Sequence, residues 1–461
     1  MMATLVTVLY IVAFGLFITG LMGLTGPKTA VRGNKIAALG MAVAVVATLL
    51  RVENNWPLIV VGLILGTAVG IPSARRVKMT AMPQMVALFN GVGGGAVALI
   101  AWSEFRTSGG FADTATYVAA ASVFAALIGS VSFWGSLIAF GKLQEILPGR
   151  PIGFGKRQQP VNLLMLVAAV ACAVLAGLGG ASQAWMILLL VFAAVLGVMV
   201  VLPIGGADMP VVISLLNALT GLSAAAAGVA LGNTAMIVAG MIVGASGSIL
   251  TNQMALAMNR TVPAIVAGGF GGGGVLPGAG DGVERTVRSV SASDAAIQMA
   301  YASQVVVVPG YGMAVAQAQH AVKDMANLLE ARGVEVKYAI HPVAGRMPGH
   351  MNVLLAEADV PYDALKDLDE INDEFARTDV SLVIGANDVT NPAARNDASS
   401  PIYGMPILNV DESRAVIVLK RSMSSGFAGI DNPLFYADRT SMLFGDAKKS
   451  VTEIVEELKA L

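Results

Sequence analysis

The sequence predicts a helical membrane domain of about nine spans followed by an α/β domain built on a parallel sheet. Three observations predict it. Of 461 residues, 56% are hydrophobic and only 13% charged, whereas an ordinary soluble domain carries about a quarter charged residues. The charges are uneven: residues 1–257 hold long apolar runs, and residues 281–461 have the mixed composition of a soluble domain. Within that second half a β-branched run, a glycine turn, a helical pattern and another apolar run follow one another over residues 304–340.

A spanning helix needs roughly 20 apolar residues, because every backbone amide must be satisfied inside it. Nine segments qualify, at about 3–24, 35–51, 57–73, 83–103, 116–141, 161–180, 183–203, 210–231 and 234–257. The leading MMATLVTVLYIVAFGLFITGLMGL lacks a basic start and a small-residue cleavage pattern, so it reads as a retained first span.

Lys and Arg in short loops favour the cytoplasmic side. The first, third and fifth loops hold ten of them: Lys28, Arg32, Lys35, Arg75, Arg76, Lys78, Lys142, Arg150, Lys156 and Arg157. The second and fourth hold only Arg51 and Arg106. This asymmetry predicts an external N-terminus and a cytoplasmic C-terminal domain. The expected division is residues 1–260 in the membrane, a glycine-rich linker at 261–290 and a nucleotide domain at 291–461. Its AGGFGGGGVLPGAGDG run, 267–282, suits either a flexible tether or a segment transmitting motion between the halves.

A net charge of −1 without a basic, aromatic-interleaved cluster argues against nucleic acid, whose affinity comes largely from neutralised phosphates. The single Cys172 allows no intrachain disulfide and reads as a packing residue. His320, His341 and His350 are too few and scattered to argue a metal site; His320 is expected on the first helix of the domain, the other two around the VAGRMPG loop.

In the soluble half, QVVVVP at 304–309 suits a strand buried on both faces, GYGMAVAQAQHAVKDMANLLEARG has helical spacing, and VEVKYAI at 334–340 is a second strand. This is the βαβ setting in which a dinucleotide fingerprint has meaning. Gly310 permits the turn, Gly312 allows backbone to approach a pyrophosphate, and Ala314 or Val315 packs at the helix start. The second strand runs into AIHPVAGRMPGHMN without the Asp or Glu an NAD site uses on the ribose. A later strand at 415–419 delivers Lys420, Arg421 and Ser422 at its carboxyl end, suited to the extra phosphate of NADP. SLVIGANDVTNPAA adds Asn387, Asp388 and Asn391 at the same edge.

These stretches, with KRSMSSGFAGIDNPLF and MLFGDAK, resemble the third domain of proton-translocating nicotinamide nucleotide transhydrogenases. PIGGADMPVVISLLNALTG and GASGSILTNQMALAMNR resemble the membrane half of that family's β subunit, so the resemblance covers nearly the whole chain. It implies a Re/Si-specific, proton-translocating NAD(P)+ transhydrogenase, active only with a partner, in a bacterial inner membrane. NADP(H) is then bound here, with a Rossmann-like domain holding the dinucleotide in reversed orientation. NAD(H) is bound by α subunits, and two of each chain assemble.

Residue by residue, the resemblance assigns Gly310, Tyr311, Gly312, Val315, Val343, Ala344, Gly345, Arg346, Met347, Pro348, Gly385, Ala386, Asn387 and Asp388 to the cofactor. Lys420, Arg421, Ser422 and Met423 follow at the 2′-phosphate, and Gly426, Phe427, Ala428, Gly429, Asp431 and Asn432 form a loop over the nucleotide. Asp388 is the candidate for linking cofactor state to protonation. Asn90, Asn217, Asp208 and Ser246 are expected along a proton path, with Ser248 and Asn252 also visible in the ninth span. Some family members place a histidine where this chain has Asn90, and Asn cannot take up a proton; the titrating group then belongs to a partner or to another residue. Interhelical hydrogen bonding accounts for the same asparagines, the GVGGG run beside Asn90 suits close helix packing, and Asp208 serves either as a gate or as a helix cap.

Two other classes share part of the pattern. One is a transporter whose NADP domain senses redox state. The other is a membrane-anchored NADP dehydrogenase, which needs a general acid that no motif supplies and far fewer spans.

Overall fold

The computed structural model describes residues 2–78, 81–148, 151–179, 182–205, 208–267, 287–347, 349–400, 402–423 and 430–461. The chain divides into two compact units, Met1–Gly205 with Val211–Thr251, and Gly206–Pro210 with Asn252–Leu461.

Among the described residues nine helices are long and apolar enough to cross a membrane: α1 (Met2–Gly23), α2 (Pro27–Leu49), α3 (Trp56–Arg76), α4 (Met82–Thr107), α5 (Thr116–Leu143), α6 (Gln158–Gly177), α7 (Gln183–Val201), α8 (Met209–Ala230) and α9 (Thr234–Ala257). Their apolar residues run all round each helix, as a hydrocarbon solvent requires. Close crossings are made by glycine. A Cβ on Gly94 would lie 2.9 Å from the Gly129 carbonyl oxygen, and one on Gly129 only 2.7 Å from that of Gly94, so α4 and α5 meet backbone to backbone. Gly221 and Gly240 do the same for α8 and α9. No residue of α3 is buried within the chain.

Helix ends correct the loop reading. Pro27 starts α2, because proline suits a first helical position, so Lys28, Arg32 and Lys35 ride on a helix rather than in a loop. Lys142 is 3% exposed and donates from Nζ to the carbonyls of Leu202 and Ile204 beyond α7. A cation there satisfies carbonyls that a helix end leaves open.

The second unit contains α10 (Val262–Ala267), α11 (Ala292–Ala300), β1 (Gln304–Pro309), α12 (Tyr311–Ala316), α13 (Gln319–Glu330), β2 (Glu335–Ile340), α14 (His350–Glu357), β3 (Leu365–Asp367), α15 (Leu368–Asn372), β4 (Val380–Ile384), α16 (Ala393–Asn396), β5 (Ala415–Lys420), β6 (Thr440–Phe444) and α17 (Ala447–Ala460). The six strands pair in parallel in the order β3-β2-β1-β4-β5-β6. One pleat face, with Val306, Val308, Val383, Val416 and Val418, packs on Phe375, Leu434 and Phe435. The alternate positions Val305, Val307, Leu382 and Ile417 are equally buried on the other face. Both faces being covered explains the unbroken valine runs.

The single helix expected after β1 is two helices. Gln317 takes the left-handed conformation at φ 52° and ends α12; amides of Gln317 and Ala318 close back onto Ala314 and Met313. His320 therefore lies on α13, not on the first helix after residue 291, which is α11. α13 then restarts with Gln319, Val322, Met325, Ala326 and Leu329 on one buried face, the 3.6-residue period the sequence carries.

Candidate functional site

In a doubly wound sheet the crevice opens at the carboxyl ends of the strands where the connections reverse direction, here between β1 and β4. Gly310, Gly312 and Gly385 meet there. The Gly310 amide donates to the Ile384 carbonyl at 2.9 Å, and that of Gly312 to the Gly385 carbonyl at 3.0 Å. A Cβ on Gly312 would lie 2.7 Å from the Gly385 Cα, and one on Gly385, at φ +67°, only 2.3 Å from the Gly312 Cα. Of the two candidates for the close helix start, Ala314 is fully buried, whereas Val315 is 46% exposed.

The loop after β2 is built by two buried histidines. His341 donates from Nε2 to the Pro406 carbonyl at 2.8 Å and accepts the Val343 amide at Nδ1. Burial pushes its pKa down to about 4, the Pro406 bond opposing. Val343 packs on the sheet core, Ala344 is buried and Gly345 sits at φ +113°. The Arg346 guanidinium lies over the Tyr311 ring at 4.3 Å, joining the loops after β1 and β2.

At the ends of β4 and β5 the polar groups interlock. Asn432 is fully buried; its Nδ2 donates to the backbone carbonyl and the side-chain oxygen of Asn387, both at 3.1 Å, and its Oδ1 accepts the Leu434 amide. Asn391, also fully buried, donates to the Asp431 carbonyl. Lys420 is the last residue of β5 and stands over the Phe435 ring at 4.5 Å. Burial holds its ammonium below the ordinary lysine range, and the carboxylates of Asp431 and Asp388 offset part of that. Arg421 and Ser422 are exposed, the former 3.8 Å from Asp446. Met423 packs on the same core cluster as Val343. Pro348 and the stretch Gly426, Phe427, Ala428 and Gly429 lie outside the described residues.

Whether these residues fit a dinucleotide is testable on the chain itself. The glycine pair leaves backbone, not side chains, at the switch point, no carboxylate ends β2, and the cations stand at the neighbouring strand end. A buried donor, Asn387 Nδ2, has no hydrogen-bond partner among the described residues. Buried donors are rarely left so. The residues fit an anionic, polar-edged ligand.

The membrane unit carries its own polar cluster. Asn90 on α4 donates to Ser136 Oγ at 2.9 Å and more weakly to Ser132 Oγ at 3.4 Å, both on α5. Ser132 is bonded to Thr220 Oγ1 on α8 at 2.5 Å and donates to the Leu216 carbonyl. Asn217, Ser246 and Asn252 do not join it; all three are exposed on α8 and α9. Asp208 carries an ion pair with Arg260 at 2.6 Å. The two serines sit four apart in SVSFWGSLIAF, a spacing that puts them on one helix face; reading α5 for intramembrane hydroxyls would have found them.

A family model described as NAD(P) transhydrogenase beta subunit matches residues 6–457. The chain belongs to that family. Two relatives named NAD(P) transhydrogenase subunit beta, one from Rhodospirillum rubrum and one from a named strain of that species, are each 48% identical over 456 residues, covering 97% of this chain and 98% of their own. A transhydrogenase beta subunit is one component of a proton-translocating NAD(P) transhydrogenase. Membership implies NADP(H) binding in general, an alpha-subunit partner and a membrane setting, and the apolar helices fit that setting. Neither rival class, sensor-transporter or anchored dehydrogenase, describes this family.

Proposed function

We propose that this chain binds NADP(H) across the carboxyl edge of its sheet and supports direct, Re/Si-specific hydride transfer to or from NAD(H) held on the alpha subunit, coupled to proton movement through α1–α9. The observation that carries this is the meeting of Gly312 and Gly385 at the switch point, with Lys420, Arg421 and Ser422 ending the adjacent strand. When bound, the nicotinamide supplies or accepts the hydride. The chain's own part is to bind, orient and exclude water. Gly310, Gly312, Gly385 and Ala386 would bring backbone close to the cofactor, and Tyr311, Val315, Val343, Ala344, Gly345, Arg346, Met347 and Pro348 are assigned as its further contacts. Lys420, Arg421 and Ser422, followed by Met423, would hold the 2′-phosphate. Gly426 to Gly429, Asp431 and Asn432 are assigned as the loop that would cover the nucleotide. Asn387 and Asp388 would contact the cofactor as well, and the charge of Asp388 acting on Lys420 would let it sense cofactor state.

In the membrane unit the Asn90, Ser132, Ser136 and Thr220 chain orders hydroxyls and water along a proton path, and Asp208, in the loop before α8, serves that path as a gate. None of those amides and hydroxyls titrates near neutral pH, so the proton-carrying group comes from the alpha subunit. Exposed Asn217, Ser246 and Asn252 support this, because polar groups facing lipid are costly and become tolerable under a partner helix. The full assembly is a dimer of heteromers in a bacterial inner membrane. Its N-termini lie outside and the nucleotide domain, residues 291–461 after the 261–290 linker, is cytoplasmic.

The test is hydride transfer from NADPH to an acetylpyridine analogue of NAD in membrane vesicles, with and without the alpha subunit, while internal pH is followed. Partner-dependent transfer that moves protons and collapses for Arg421→Ala is expected. Tight NADPH binding with no transfer in any pairing would sink the proposal.

A further inference from the structure

We propose that His350 is a positioning residue for NADP(H), the post on which the 343–347 loop is formed so that Arg346 is presented over Tyr311. This rests on reading the sheet edge as the NADP(H) site.

His350 is 1% exposed and opens α14. Its ring Nδ1 accepts the Arg346 amide at 3.0 Å, and its own amide donates to the Met347 carbonyl at 3.2 Å. One residue thus fastens the loop by ring and by backbone. Gly345 shows what the ring displaces: at φ +113°, a Cβ there would lie 2.5 Å from His350 Nδ1 and 2.6 Å from its Cβ. The Tyr311 ring, over which Arg346 lies at 4.3 Å, is 6.1 Å from the imidazole, so ring, guanidinium and imidazole form one group spanning the loops after β1 and β2. Because Nδ1 accepts, the proton is on Nε2 and the imidazole is neutral. Burial and the Arg346 charge favour that form.

The acceptor is what matters, which separates two conservative variants. Asn places its oxygen two bonds from Cβ, as His places Nδ1. Gln places its polar atoms one bond further out, near Nε2. The experiment measures NADPH affinity, KM for each nucleotide, kcat and unfolding temperature of the complete α/β complex in membranes. His350→Asn is expected to keep the NADPH dissociation constant within about threefold. His350→Gln and His350→Ala, which leave the Arg346 amide without its acceptor, are expected to raise it on the order of tenfold. In all three, KM for the NAD analogue should be unchanged and kcat at saturating NADPH largely retained. Equal effects of Asn and Gln, or a fall in kcat with unaltered NADPH affinity, would overturn the positioning role. An unmutated complex without saturable NADPH binding would instead overturn the site reading and this inference with it. A general loss of fold lowers the unfolding temperature of Asn and Gln variants alike, and so counts against the acceptor argument.

Discussion

His341 and His350 hold the loop after β2 with neutral rings, and this ties its stability to pH. Each has its pKa lowered from 6.5 to about 4, chiefly by burial. The unfolded chain takes up these protons as pH falls through 6.5, whereas the folded chain does not until about 4. The stabilisation is therefore complete above 6.5 and is lost across that window, by roughly 1.4 kcal/mol per unit for each ring. Hydrogen-exchange protection of the 304–308 amides is expected to fall on acidification from pH 7 to pH 5, and less steeply for His341→Gln. An identical slope in that variant would remove His341 from the account. Asn432 sets a second expectation. Asn432→Leu strands the buried Leu434 amide, whereas the Asn387 carbonyl keeps its bonds from Thr390. The loss should be about 2 kcal/mol, read as lost protection over residues 430–436 with weakened NADPH binding. Neither role was legible in the sequence, where the histidines read as bracketing the VAGRMPG loop and the asparagine as a cofactor contact; which atoms they bond depends on Pro406, Arg346 and Leu434, set by the fold.

Among elements, strands β1, β4 and β5 were legible because burial on both faces writes itself as valine-rich runs, the spanning helices because a hydrocarbon surround demands long runs of leucine, valine and alanine, and β2 from the apolar residues of its second half. The short β3, with only partly buried residues, carries no such signal. The break between α12 and α13 was hidden because helical spacing persists across it and Gln317 is no helix breaker; only tertiary packing forces its φ to 52°. A left-handed residue with a Cβ costs roughly 1–2 kcal/mol, partly offset in glycine by greater unfolded-state entropy. Gln317→Gly should thus raise the unfolding free energy of the sheet unit by about 0.5 kcal/mol, and Gln317→Val lower it by at least about 1 kcal/mol, both read from denaturant unfolding. Opposite signs would mean that the break is not held by this dihedral. The α4–α5 crossing makes the converse case: the glycine run beside Asn90 was readable as a close contact, but its partner Gly129 was not. Gly129→Leu should part the helices, break the Asn90–Ser136 bond and abolish proton-linked hydride transfer, while NADPH binding measured by equilibrium dialysis persists.

At the scale of the molecule, the polar chain of the membrane unit and the nucleotide loops of the sheet unit are made of separate residues in separate compact units. Damage to the first should therefore leave the second's affinity intact and strike only the coupling. Ser132→Ala tests this with little structural cost, because a hydrogen bond between membrane helices contributes only about 0.6 kcal/mol on average. Its bonded neighbour Thr220 also keeps a bond to the Leu216 carbonyl. A matched control exists on the same helix: Ser130 is buried and donates to the Leu190 carbonyl at 2.9 Å, away from Asn90. Ser130→Ala removes an equivalent bond from the same bundle. If the Asn90 cluster conducts, Ser132→Ala slows proton uptake by vesicles several-fold more than Ser130→Ala, with NADPH affinity unchanged in both. Equal and small effects would return the cluster to helix packing, since a bond of this size can hold two helices together without carrying a proton between them.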